Sequence, residues 1–136
     1  MRQAGYTLVE LLVVLAIMGL LAAIAVPLLP ASRPGLESKA AARRLALDLV
    51  AAREQAIDRG AEEHVVLDPA TGRYALPGGA PRALPKGIAL AFRGPRPDEI
   101  VFYPDGSSSG GIVTVSSGTA KHRVTVRWPA GQVGVE

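Results

Sequence analysis

An α+β fold is predicted, in which a long N-terminal helix breaks near Pro30–Pro34 and packs its second half on a C-terminal antiparallel β head. Three observations carry this expectation. Residues 11 to 29 run without a charge, residues 36 to 59 repeat small and aliphatic side chains at helical spacing, and from Glu62 onward the period changes to that of strands. The chain of 136 residues, 49% hydrophobic, is one domain by length with ample material for a core.

Charge is distributed unevenly. Arg2 and Glu10 are the charged residues of the first thirty and they cancel, so the net charge of +3 belongs to the remainder. A surplus this small, with no basic stripe or patch, speaks against nucleic acid as a partner. Without cysteine no disulfide staples the fold, and the redox compartment is left open.

The apolar run, Leu11 to Leu29, holds nineteen residues and as a helix spans roughly 28 Å. That is close to the ~30 Å hydrocarbon core of a bilayer, where a helix satisfies its own backbone groups. Three readings compete. A secretory signal peptide would be cut at the small residues Ala23-Ile24-Ala25, giving a mature chain that starts at Val26. A plain anchor would carry Glu10 incidentally. In the third, Glu10 is functional and has a partner, because an acidic group in an apolar helix costs about 2.5–3.5 kcal/mol on insertion scales.

Gly5-Tyr6-Thr7-Leu8-Val9-Glu10, followed by the apolar run, resembles the prepilin peptidase site of type IV pilins and type II secretion pseudopilins. The resemblance implies a leader of residues 1–5 cut after Gly5 and N-methylation of Tyr6. It also implies that Glu10 pairs with the N-terminal amine of a neighbouring subunit during filament assembly. Two buried charges are costly alone and tolerable as a pair, so the pair can set subunit stagger. Pro27 matches a proline of the family's spine helix. The same resemblance implies residues 6–30 as a single inner-membrane and filament-core helix and residues 31–136 as a periplasmic head. The implied partners are other pseudopilins or pilins, the prepilin peptidase and an inner-membrane assembly platform.

Within the head, Pro30-Ala31-Ser32-Arg33-Pro34-Gly35 should interrupt the helix. Helix is predicted again from about 36 to 60, with Ala41, Leu45, Leu49, Ala52 and Ala56 on one face and Gly60 as its stop. Lys39, Arg43, Arg44, Glu54 and Asp58 lie mostly off that face, and Arg43-Arg44 reads as solvated. Strands are expected between about 63 and 135. His64–Leu67 and Arg73–Leu76 should form a hairpin around Asp68–Gly72, and Gly78–Lys86 a Pro/Gly-rich loop. Ile88–Phe92 and Glu99–Tyr103 should be short strands. A second hairpin should pair Gly111–Val115 with His122–Trp128, and Val133–Val135 should add an edge.

Arg53-Glu54-Gln55-Ala56-Ile57-Asp58-Arg59-Gly60 and Phe102-Tyr103-Pro104-Asp105-Gly106-Ser107-Ser108-Ser109-Gly110-Gly111 are similar to signatures of the GspH/FimT family of minor pseudopilins and minor pilins. The implied function is that of a minor pseudopilin in a short periplasmic pseudopilus that helps export folded proteins. A FimT-type minor pilin, acting in pilus assembly or DNA uptake, is the alternative. Ala130-Gly131-Gln132 stands where the family often has a Gly-Arg turn, and FimT-like proteins that bind DNA are basic there. The resemblance therefore leans towards secretion.

No enzymatic constellation emerges. Gly106-Ser107-Ser108-Ser109-Gly110 spells G-x-S-x-G, but a strand pattern follows where the nucleophile elbow needs a helix, so Ser108 is expected in a turn. His64 and His122 lack metal-ligand spacing, and His64 is expected at a strand start on the surface. Asp105 belongs to a Pro-Asp-Gly turn, and the acidic C-terminal loop with which major pseudopilins bind calcium is absent. No cofactor or metal is expected.

Overall fold

The computed structural model describes residues 6–25 and 34–136 of two compact units, Met1–Ser32 and Arg33–Glu136. In the first unit, α1 (Leu8–Ala25) starts where Thr7 caps it: the Thr7 hydroxyl accepts from the Glu10 amide at 3.3 Å, and the Thr7 carbonyl accepts from the Leu11 amide at 3.2 Å. Its apolar side chains point outward on every side, with Leu8, Leu15 and Leu20 each about two-thirds exposed or more. A helix apolar all round needs other molecules to cover it. Among the described residues no helix is long and apolar enough to cross a membrane. The expected span from Leu11 to Leu29 continues into residues 26–33, outside the described residues, as does Gly5.

In the second unit, α2 (Pro34–Arg59) is followed by β1 (Glu63–Asp68), β2 (Arg73–Ala75), β3 (Arg82–Ala83), β4 (Ala89–Arg93), β5 (Glu99–Phe102), β6 (Gly111–Ser117), β7 (Ala120–Val126) and β8 (Val133–Val135). The helix begins inside the stretch expected to break it. Proline suits a first helical position because its missing amide has no partner there and its φ is already helical. The helix ends as expected: Gly60 takes φ 63°, and the Ala61 amide reaches back to the Ala56 carbonyl at 3.3 Å.

The strands form two antiparallel sheets of four, ordered β3-β2-β1-β5 and β4-β6-β7-β8. Both lean on α2, which touches β1 and β5 of the first and β6, β7 and β8 of the second. The core is the meeting of three inward faces. From α2 come Ala42, Leu45, Leu49, Ala52 and Ala56, all within 2% of full burial; Val65, Leu67, Ile100 and Phe102 come from the first sheet, and Val113, Val115, Val124 and Val126 from the second. Alanines at the contact let helix and sheets approach closely. Ser38 is buried too, its hydroxyl turned back on the Gly35 carbonyl at 3.2 Å.

Both expected hairpins are present with shifted ends. β6 and β7 pair as far as Ser117 with Ala120, longer than expected, while β7 stops at Val126 and leaves Trp128 outside and 76% exposed. The expected loop 78–86 contains the two-residue β3, which pairs with β2. It is held from across by the helix: Arg82 donates to both oxygens of Asp48 at 2.7 and 2.8 Å, and the buried Tyr74 hydroxyl donates to Asp48 at 2.6 Å.

Candidate functional site

Two places gather the residues singled out by sequence, and they are of different kinds. The first is the start of α1. Thr7 is its N-cap and Glu10 its third residue, so T-x-x-E forms the hydroxyl half of a capping box, a signal present in the sequence but not read there. A carboxylate in the first helical turn faces the positive end of the helix dipole. Tyr6 is 81% exposed and Glu10 is exposed as well.

The second place joins the two signature stretches of the head. Arg53, near the end of α2, donates through Nε to the Gly106 carbonyl at 2.7 Å and through Nη2 to the Ala130 carbonyl at 3.3 Å. One guanidinium thus fastens the helix to the Pro-Asp-Gly turn and to the turn after β7. Three glycines let the backbones approach. Gly106 and Gly131 have φ of 80° and 66°, and a Cβ on Gly131 would run into the Gly106 carbonyl and Arg53. Gly110, at φ 74°, lies against the Cβ of Trp128. Sequence reading missed Arg53 as the link, because its partners are backbone carbonyls on segments remote in the chain.

Within this turn the serines and Asp105 are structural. Ser108 is 1% exposed; its hydroxyl accepts from the Gly110 amide at 3.2 Å and donates to the Arg127 carbonyl at 3.4 Å. The chain beyond Gly110 continues as β6, so Ser108 does not stand on a strand-turn-helix elbow. Asp105 accepts from the amide and hydroxyl of Ser107 at 2.9 and 2.5 Å, and the hydroxyl holds its carboxyl below the usual carboxylate range. His64 lies within β1 rather than at its start and meets Glu99 at 3.1 Å, while His122 sits on β7 with Nε2 buried. Among the described residues no group of three acidic or histidine side chains could hold a metal ion.

A capped, outwardly apolar helix with an acid in its first turn, preceding a helix-on-two-sheets head, defines a pilin-class subunit. Residues 1–26 match the prokaryotic N-terminal methylation motif, and residues 41–131 match the family model described as type II transport protein GspH. The chain is 32% identical over 136 residues to the type II secretion system protein H of Xanthomonas campestris pv. campestris, an alignment covering 95% of this chain and 80% of that one. Its fold matches the minor pseudopilin EpsH from the type 2 secretion system of Vibrio cholerae, with a TM-score of 0.63 at 18% identity over 74% of this chain and 96% of that one. A second EpsH structure gives 0.63 at 17% identity, over 74% and 94%. The chain belongs to the GspH family of type II transport proteins.

Proposed function

We propose that this chain is a non-enzymatic minor pseudopilin, assembling through α1 into a short periplasmic filament that helps a type II secretion system export folded proteins. Prepilin peptidase cuts after Gly5, Tyr6 becomes the methylated N-terminus, and the apolar segment from Tyr6 to Pro30 holds the subunit in the inner membrane until an ATP-driven platform extracts it.

The observation that carries this reading is a lone carboxylate, Glu10, in the first turn of a helix with apolar side chains exposed on every side. Lipid tails are as apolar as leucine, so moving such a rod from bilayer to bundle changes hydrophobic burial little. Selectivity must come from polar groups. An acid inserted among rods is costly unless the ammonium of a neighbouring Tyr6 meets it, and a subunit out of register leaves both unpaired. Glu10→Leu should therefore leave the protein present in the membrane but sharply reduce its incorporation into filaments and the export of secreted enzymes. Undiminished incorporation would refute the assembly role. N-terminal mass spectrometry checks the processing: methylated Tyr6 is expected, whereas a chain starting at Val26 would indicate an ordinary signal peptide.

A further inference from the structure

We infer that the groove beside the first half of α2 binds the headgroup of an anionic phospholipid in the bilayer that anchors the chain. The inference rests on the membrane reading above and adds to it a second, charge-selective contact.

The groove, about 930 Å³ in volume, is lined by the first half of α2 together with Tyr74 and the stretch from Arg82 to Pro85. Its lining is of two kinds. Leu36 and Leu47, 65% and 70% exposed, give it an apolar surface. Lys39, Arg43, Arg44 and Arg82 give it positive charge against one acid of the lining, Glu37. Arg82 is already committed to Asp48 at 2.7 Å. Lys39, Arg43 and Arg44 are exposed, and among the described residues none of the three has an ion-pair partner. Lys39 and Arg43 stand four residues apart on one helix face, a like-charge spacing that disfavours the helix. An anion seated between them removes that repulsion. Arg43-Arg44, read from the sequence as a solvated face, thus belongs to a concave basic wall.

Chemistry and position select the occupant. A free phosphate answers the cations and leaves the leucines in water, whereas a phospholipid brings phosphate and hydrocarbon together. Four residues of chain join Pro30, the end of the apolar segment, to Pro34, a reach of at most about 14 Å. Arg44 lies ten residues into α2, about 15 Å along it. The cations are therefore tethered within about 30 Å of the point where the chain leaves the bilayer. Three basic residues are few for a free protein to find a membrane. A tethered groove meets lipid at high effective concentration, so three suffice.

The test uses the full chain in vesicles of phosphatidylcholine, alone or mixed with phosphatidylglycerol. The chain has no cysteine, so Ala40→Cys, exposed on the groove lining, carries a single bimane fluorophore. Phosphatidylcholine with a nitroxide on its headgroup quenches a bimane that reaches the headgroup layer. Quenching above the neutral level is expected with phosphatidylglycerol. Lys39→Gln, Arg43→Gln and Arg44→Gln together should lower the ratio of engaged to free groove about a hundredfold, at about fivefold per basic residue. Glu37→Gln should raise it. Arg93→Gln with Arg123→Gln, exposed on the second sheet, should leave it unchanged. Unfolding curves matching the parent verify that each variant is folded. Equal quenching in the two kinds of vesicle overturns the proposal, as does quenching retained by the triple variant or lost equally in the Arg93 and Arg123 variant. Displacement by inorganic phosphate at matched ionic strength also overturns it. Flotation with neutral vesicles tests the anchor separately. If the chain floats while phosphatidylglycerol adds no quenching, the membrane reading stands and only the groove fails; a chain that does not float removes both.

Discussion

Arg53 is the most exposing place to test the account of the head. Arg53→Met keeps most of the aliphatic stem and removes the guanidinium, so the two carbonyls of Gly106 and Ala130 lose their shared donor. The 2.7 Å bond from Nε is partly buried, and bonds from charged donors contribute about 1.5–3 kcal/mol. The exposed 3.3 Å bond adds little. A net loss of about 2 kcal/mol is expected. At roughly 4–8 °C per kcal/mol for a domain near 100 residues, the Tm should fall by about 8–16 °C. The assay is thermal unfolding of the full chain in detergent, followed by fluorescence of Trp128. This is the chain's single tryptophan, and its Cβ packs beside Gly110. Arg53→Lys should fall between the two, since an ammonium lacks the planar fork that spans both carbonyls. A Tm for Arg53→Met within about 2 °C of the parent would refute the fastener.

The same junction predicts that Gly131→Ala is destabilising by about 1–3 kcal/mol, from φ 66° and collision with Gly106 and Arg53. In the double variant with Arg53→Met the combined loss should be smaller than the sum of the two single losses, measured by the same unfolding curves. Ser108→Ala should lower stability by about 1–3 kcal/mol through the orphaned Gly110 amide, yet leave export in complemented cells intact; abolished export with a folded protein would revive a chemical role. Burial, and then the Asp48 carboxylate, push Tyr74 up to about 12 from 10.0. A raised pKa means the contribution is complete below 10 and fades as pH climbs through 12, so the head should lose stability in that window. Asp48→Asn should lower the alkaline midpoint of Tyr74 in an ultraviolet titration while burial still holds it above 10.

The architecture was legible where one pattern dominated. The α2 face from Ala41 to Ala56 was readable because its partners are apolar and its period is regular, and the β6–β7 pairing because its residues alternate. Boundaries were harder: Pro34 reads as a breaker but starts a helix, since proline is tolerated in a first turn. β3 was invisible because a two-residue strand has no period, and its place is set by Asp48, thirty-four positions from Arg82. The division of the strands into two sheets also escaped, as register between sheets is decided by both leaning on one helix. At the candidate site, Glu10 stood out as a lone acid. The T-x-x-E cap and the Arg53 link did not, the first overlooked among apolar neighbours, the second because backbone acceptors leave no mark in a sequence.

The chain enters its head through α2, and both sheets grip that one helix along its length. Any pull transmitted through the N-terminal segment must then load many side-chain contacts in parallel, and no single strand can peel away first. If the subunit is extracted by its leading segment, as proposed above, its head would meet that tension with the whole inner face of α2 at once, the Arg53 fastener near the helix end included.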